Sequence, residues 1–124
     1  MKYVIHAYEQ SYGALHGIET CLAIEADEYS DVVDMACEAS REVMGSYHFI
    51  EEALREQACF YCGADEYDEE DEDLERAYED AVEENIEYSI WRVNEDCPYS
   101  RDEIDQMIAN DLEGFVEEFC TFVE

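Results

Sequence analysis

The sequence has very few basic residues. Only 6 of its 124 residues are Lys or Arg, against 36 Asp or Glu, so the formal net charge at pH 7 is −30. A soluble domain of this size usually carries a net charge of magnitude about 2–8. A surface this negative repels DNA, RNA and anionic lipid headgroups. Direct binding to nucleic acid or to a membrane surface is therefore excluded.

Long hydrophobic runs are also missing. No run of about 18 apolar residues is present, which excludes a transmembrane helix, and the first six residues lack the apolar stretch of a signal peptide. The expected location is the cytoplasm, that of a host cell if the gene belongs to a phage or plasmid. Six cysteines should then be reduced, because cytoplasmic thiols rarely form disulfides. They are Cys21, Cys37, Cys59, Cys62, Cys97 and Cys120.

Apolar residues, by contrast, are abundant. They make up 48% of the chain, and aromatic residues 13%, which is enough to build a core despite the charge. High charge would indicate disorder only with low apolar content. The length suits one domain over residues 1–124.

The N-terminal third predicts a β-hairpin. Residues 2–9 and 18–25 alternate in the manner of strands, and residues 10–17 contain Ser11, Gly13 and Gly17, which are typical of a turn. A helix capped by Asp27 or Ser30 is predicted to run to about Met44, where Gly45 is a suitable stop.

Helical spacing dominates the rest of the chain. Helices are predicted at about 46–60, before Gly63, and at about 70–85, followed by a strand at 87–93. Ser100 and Glu103 form a capping box that begins a last helix, predicted to reach the C-terminus. We expect an α+β fold of order ββαααβα, with about three antiparallel strands and about four helices against one face.

The apolar stripe of the last helix contains Phe115, Phe119 and Phe122. It is wide enough for a core or for the seam of a homodimer, and the sequence leaves both open.

Residues 69–87 are the most acidic segment. They hold eleven acids and one base, Arg76, giving a net charge of −10. As one helix they would span roughly 28 Å, or about one negative charge per 2.8 Å. Duplex DNA carries about one per 1.7 Å of axis and a single strand about one per 3.4 Å. Many i, i+4 neighbours repel, which a structural helix would avoid by alternating Lys with Glu. The candidate partner-binding, phosphate-mimicking residues are Asp65, Glu66, Asp68, Glu69, Glu70, Asp71, Glu72, Asp73, Glu75, Glu79, Asp80, Glu83, Glu84 and Glu87.

A solvated helix face is the alternative interpretation of this segment. We favour a binding role because bases are missing from the whole chain and not only from this segment. Tyrosine, which is common in interfaces, also recurs in or beside acidic runs, at Tyr61, Tyr67, Tyr78, Tyr88 and Tyr99. Tyr78 also fits the apolar stripe and is equally suited to the core.

Motifs for metal binding and catalysis are weak. Cys59 and Cys62 form a CxxC without the second ligand pair that zinc requires, and whether they bind a metal is left open. The motif is also predicted to end a helix, where a redox CxxC would begin one. The run of aspartates from Asp65 to Asp73 lacks the glycine of an EF-hand. His6, His16 and His48 lie apart, and no nucleophile motif is present. We therefore expect no enzyme, no metal and no cofactor.

In size and charge the chain resembles the nucleic-acid-mimic inhibitors of phages and mobile elements, the anti-CRISPR and anti-restriction proteins. A second resemblance covers about the first 40 residues. Tyr8, Tyr12, Gly13 and Gly17, followed by the acidic passage 22–29, resemble the start of the ArdA-type anti-restriction fold. The resemblance implies occupation of a DNA- or RNA-binding groove and carries over no individual functional residue.

The leading hypothesis is thus an inhibitor that imitates nucleic acid and binds a basic nucleic-acid-binding protein, a Cas effector or a restriction complex. One alternative is an acidic structural protein of the halophile type, although 6 Cys and 16 aromatic residues are more than we expect of such a chain. Another is an antitoxin-like inhibitor of a basic ribonuclease, which would rely on the same electrostatics.

Overall fold

The structure is a computed structural model that describes residues 1–9 and 19–124. Its elements are β1 (Lys2–Glu9), β2 (Glu19–Glu25), α1 (Tyr29–Gly45), α2 (His48–Cys62), α3 (Glu72–Glu84), β3 (Ile86–Val93), α4 (Arg101–Phe119) and β4 (Cys120–Phe122). The α+β class is confirmed, and the described residues form four strands instead of about three. The predicted turn at 10–17 lies outside the described residues. His16 lies outside them too, as do Tyr12, Gly13 and Gly17, which carry part of the resemblance.

No helix in the described part of the chain is both long and apolar enough to cross a membrane.

The sheet is antiparallel throughout, in the order β2-β1-β3-β4. The predicted hairpin is confirmed, with Val4 opposite Ala23, and β3 pairs with the other edge of β1, placing Trp91 opposite Val4. The expected continuation of the last helix to the C-terminus is wrong. The chain leaves the helix at Cys120, which has extended backbone angles, and Phe122 pairs with Trp91. β-branched and aromatic residues suit a strand, and the free edge of β3 supplies the backbone partners.

Helices cover both faces of the sheet, so the expectation of one covered face is also wrong. On one face Ile5 and Ile90 pack with Val32 and Ala36 of α1. On the opposite face Val4, Ala23 and Val93 pack with Ile104, Ile108 and Phe115 of α4. The reason is visible in β1, where the neighbours Val4 and Ile5 point to opposite faces and are both fully buried. Phe115 is thus a core residue, whereas Phe122 is 62% exposed.

Helices α2 and α3 pack beyond the end of α1. Val43 and Met44 of α1, Ile50 and Leu54 of α2, and Ala81 and Val82 of α3 form one buried cluster. Gly63 ends α2 as predicted, with φ 67° in the left-handed region that favours glycine. The cap predicted for α1 is wrong, because Glu28 occupies the N-cap and no side chain bonds the free amides.

The start of α4 is confirmed in detail. Ser100 Oγ accepts a hydrogen bond from the Glu103 amide at 3.3 Å, and Glu103 Oε1 accepts one from the Ser100 amide at 3.3 Å. The helix is interrupted at Asp111 (φ −154°, ψ 84°), whose carboxylate accepts a hydrogen bond from the Gly114 amide at 3.0 Å. A Cβ atom at Gly114 would collide with that carboxylate, so glycine allows Asp111 to cap the second segment.

The open edge of β2 is protected by α4. The Ala23 amide donates to Asp105 Oδ1 at 2.6 Å, and Arg101 Nη1 donates to the Ala23 carbonyl at 3.3 Å. Arg101 and Asp105 also form an ion pair at 3.3 Å. Because these side chains satisfy the outward backbone groups of Ala23, they oppose pairing with another strand at the middle of this edge.

The C-terminal residues are attached to α1 through Tyr29. Its hydroxyl donates a hydrogen bond to the Glu124 carboxylate, and the Glu124 amide bonds the Ile90 carbonyl at 3.2 Å. Burial, reinforced by this hydrogen bond and by the negative charge of Glu124, raises the pKa of Tyr29 from 10.0 to about 12.

We predict that this contact is lost in alkali. The folded state keeps Tyr29 protonated where the unfolded chain ionises it, so its stabilisation is complete below pH 10.0 and disappears as the pH rises to about 12. Tyr29→Phe should therefore lose less stability over that interval than the parent chain, measured by urea unfolding at both ends. Tyr47→Phe is the control, because the Tyr47 hydroxyl makes no hydrogen bond within residues 1–9 and 19–124. Identical losses in the parent and in Tyr29→Phe would contradict the prediction.

Candidate functional site

The predicted partner-binding carboxylates lie on α3, on the segment that joins it to α2, and at one position on β3. All of them are exposed except Glu87, which is half-buried on β3. We call the exposed set the acidic surface. It consists of Asp65, Glu66, Asp68, Glu69, Glu70, Asp71, Glu72, Asp73, Glu75, Glu79, Asp80, Glu83 and Glu84.

Helix α3 carries the regular part of the acidic surface. Leu74, Ala77, Ala81 and Val82 are buried, and the acids occupy the opposite side. Seven acids and one base lie within its 13 residues, a net charge of −6. At a rise of about 1.5 Å per residue the helix is about 20 Å long, which gives about one net negative charge per 3.3 Å. That spacing is close to the value of about 3.4 Å for a single nucleic-acid strand.

The helix predicted at about 70–85 is present as α3, over Glu72–Glu84, so residues 69–87 do not form the single helix of roughly 28 Å assumed for the charge spacing. Residues 69–71 precede α3, and Glu87 lies on β3 beyond it. The reason lies in the aspartates. Asp71 accepts hydrogen bonds from the amides of Asp73 and Leu74, at 2.9 and 3.4 Å, and thereby caps α3. Asp68 similarly accepts one from the Glu70 amide at 2.9 Å. Short polar side chains favour such caps and turns over the helix interior.

Several acids of this surface have partners within the protein. Glu83 pairs with Arg41 at 3.1 Å and Glu69 with Arg55 at 3.6 Å. Glu84 accepts hydrogen bonds from the Tyr61 hydroxyl and from Gln57 Nε2. Exposed ion pairs contribute only about 0–1 kcal/mol, so these contacts orient the carboxylates without removing the surface's negative potential.

Other acids of this surface have no partner among the described residues. The carboxylates of Glu72, Glu75, Glu79 and Asp80 make no hydrogen bond or ion pair with any residue that the structure describes. All four are exposed on α3. Their full charge is therefore directed to solvent.

Two open hollows flank the end of α2. One, of about 530 Å³, is lined by Tyr61, Asp80, Glu83 and Glu84. The hydrogen bond to Glu84 raises the pKa of Tyr61. The other, of about 360 Å³, is lined by Arg55, Glu56, Cys59, Phe60, Ala64, Asp65 and Tyr67.

Only some of the tyrosines singled out by sequence lie at this surface. Tyr61 is exposed there, whereas the rings of Tyr67 and Tyr78 pack against each other with centroids 6.0 Å apart. Burial raises the pKa of both. Tyr88 and Tyr99 pack against the two sheet-centred clusters, away from α2 and α3.

Phe60 is the residue of this region that sequence analysis did not single out. It is 83% exposed, although it follows the buried Ile50, Leu54 and Ala58 on the same helix. A helical projection would have found it, because Phe60 lies about 120° around the axis from Leu54, the middle of the buried stripe. A large apolar residue outside the buried stripe of a helix is the signal.

The cysteines and histidines form no site in the described part of the chain. All six cysteines are free, and no group of three or more His, Cys, Asp or Glu within the described ranges could hold a metal. Cys59 is half-buried, and the Cys62 thiol donates to the Asp73 carbonyl at 3.6 Å. His6 contacts Glu19 at 2.7 Å, and His48 contacts Glu52 at 3.0 Å. His6 lies on β1, whereas His48 lies at the start of α2 and Cys59 and Cys62 lie at its end, so these side chains do not converge.

Comparison of the chain with protein-family models, with curated proteins and with solved structures finds no match. The case for a function therefore rests on the acidic surface.

Proposed function

We propose that this protein is an inhibitor that mimics nucleic acid and occupies the DNA- or RNA-binding groove of a host defence nuclease. The target would be a CRISPR-Cas effector or a restriction enzyme, and the source a phage or mobile element acting in the host cytoplasm. The observation that carries the proposal is α3, where seven carboxylates and one base are spaced at about the charge density of a polynucleotide.

The mode of action follows from electrostatics. Carboxylates at this spacing can face the Arg and Lys side chains that normally contact phosphates. Complementary charge steers the two proteins together and makes association fast and sensitive to salt. Inhibition by occupancy needs no catalytic group and no cofactor, and we propose neither for this chain.

Competition with DNA is the direct test. Labelled DNA bound to purified, guide-loaded Cas effectors and to purified restriction complexes is titrated with the protein and followed by fluorescence anisotropy. We expect displacement of the DNA from at least one target, with an apparent affinity that falls as salt rises. A ternary complex of nuclease, DNA and protein would contradict the proposal. If only a basic ribonuclease is blocked, the antitoxin-like alternative is supported.

A melting curve against salt separates the proposal from the halophile alternative. A mimic must be folded at about the ionic strength where its target works, while a halophile protein folds only in high salt. We expect a cooperative transition already at low salt, with a melting temperature that rises as screening weakens self-repulsion.

A further inference from the structure

Two aromatic side chains stand side by side on the acidic surface. Phe60 is 83% exposed and Tyr61 is 46% exposed. Their ring centroids are 6.4 Å apart. Single exposed apolar residues are common on proteins, whereas here two neighbouring rings, inclined to each other by 58°, are both exposed at the C-terminal end of α2.

Carboxylates border this pair on both sides. Phe60 shares its hollow with Glu56, Asp65 and one base, Arg55, and Tyr61 shares the other hollow with Asp80, Glu83 and Glu84. The Tyr61 hydroxyl is also fixed by its hydrogen bond to Glu84. The surface therefore presents two exposed aromatic rings that are bordered mainly by carboxylates.

A groove that binds single-stranded nucleic acid has the complementary composition. Such grooves combine positive charge along the backbone with aromatic or arginine side chains on which the bases stack. Duplex-binding surfaces contact phosphates and groove edges, and the bases remain stacked on one another. The spacing of net charge on α3, about 3.3 Å, also lies nearer to the single strand than to the duplex.

We propose that Phe60 and Tyr61 take the place of unstacked bases, so that the protein fits a basic groove built for single-stranded nucleic acid. The inference rests on the proposed function and narrows its target. The partner of this surface is then a protein whose groove has Arg or Lys side chains on its walls and a stacking side chain at its floor. A groove that binds duplex DNA is the outcome that would overturn it.

Two short peptides of equal charge test the stacking contribution. One alternates arginine with tryptophan and the other arginine with alanine, and affinities are measured by isothermal titration calorimetry. We expect the parent protein to bind the arginine–tryptophan peptide more tightly. Phe60→Ala should weaken that binding about tenfold, the loss expected for one stacking contact. It should leave binding of the arginine–alanine peptide unchanged, because no charge is altered.

Phe122→Ala is the matched control. Phe122 is also exposed, but it lies on β4, where its ring contacts Trp91 with centroids 5.8 Å apart. We expect Phe122→Ala to keep the parent's affinity for the arginine–tryptophan peptide, with the folding of each variant checked by its melting temperature. Equal affinity of the parent for the two peptides, no effect of Phe60→Ala, or an equal loss in Phe122→Ala would each overturn the inference.

Failure of this inference differs from failure of the proposed function. If the protein displaces DNA from a nuclease while Phe60→Ala inhibits as well as the parent, the mimic remains and the single-strand assignment is wrong. If no nuclease is inhibited but Phe60→Ala weakens binding of the arginine–tryptophan peptide, the surface binds a basic partner through stacking and the proposed nuclease target is wrong.

Discussion

If the proposed function is right, the triple variant Glu75→Gln, Glu79→Gln, Asp80→Asn is expected to bind the proposed target nuclease about thirtyfold more weakly than the parent protein. The three carboxylates are exposed on α3 and have no side-chain partner among the described residues, so each is free to face a basic side chain. An exposed charge contact contributes roughly 0.7 kcal/mol, and three give about 2 kcal/mol, or about thirtyfold. The loss should lie mainly in the association rate and should shrink as salt rises.

The same substitutions should not lower stability. Glu75 and Glu79 repel each other across one helical turn, as do Glu79 and Glu83, and amides remove that repulsion. The melting temperature is therefore expected to stay level or rise by a small amount. Weaker binding by a more stable protein would show that the charges serve the partner and not the fold.

Helix α4 offers a matched control. Glu113, Glu117 and Glu118 have the same spacing as the three α3 residues, and all three are exposed. Their replacement by glutamine removes the same charge from another surface. Affinity measured by surface plasmon resonance should change little. An equal loss in both triple variants would contradict a localised acidic surface and would attribute binding to net charge alone.

Ile5→Ala is expected to lower the free energy of unfolding by about 3 kcal/mol. Ile5 is fully buried at the centre of the sheet, opposite Leu22 on one side and Ile90 on the other, and it packs under α1. Removing a buried isoleucine side chain to Cβ typically costs about 2–5 kcal/mol, because a cavity remains. A domain of this kind is stable by only about 5–15 kcal/mol.

The charge of the chain makes that loss dependent on salt. A net charge of −30 opposes compaction, and added salt screens this repulsion. We expect Ile5→Ala to be partly unfolded at low salt and cooperatively folded at high salt, measured by urea unfolding at both. Ile86→Ala removes the same atoms from a half-buried position on β3 and should lose less stability. Equal losses in the two variants would contradict the burial argument.

Much of the fold could be predicted because it depends on local signals. The alternation in residues 2–9, the Ser100–Glu103 capping box and the left-handed Gly63 each act over a few residues, and each is present in the structure. β4 was missed because its stability comes from the free edge of β3, which is distant in sequence. The break of α4 at Asp111 was missed because the prediction used only the spacing of apolar residues. That spacing carries no information about the Asp111 side chain, which caps the second segment of the helix.

The candidate site was predicted as a set of residues but not as an arrangement. The order of residues alone located the acids, and all of them except Glu87 are exposed on or next to α3. Sequence could not tell that Asp71 caps the helix, that Glu83 faces Arg41, or that Glu79 has no partner within residues 1–9 and 19–124. These roles depend on which elements pack together.

The sequence by itself determined the sign of the charge, its concentration around α3 and the α+β class, because charge is fixed by composition and secondary structure largely by short periodic patterns. Only the tertiary structure decided which carboxylates have no partner among the described residues, and only it placed Phe60 in one hollow and Tyr61 in the other. The physical reason is that burial and pairing are properties of contacts between residues far apart in the chain, such as Arg41 with Glu83 and Tyr61 with Glu84.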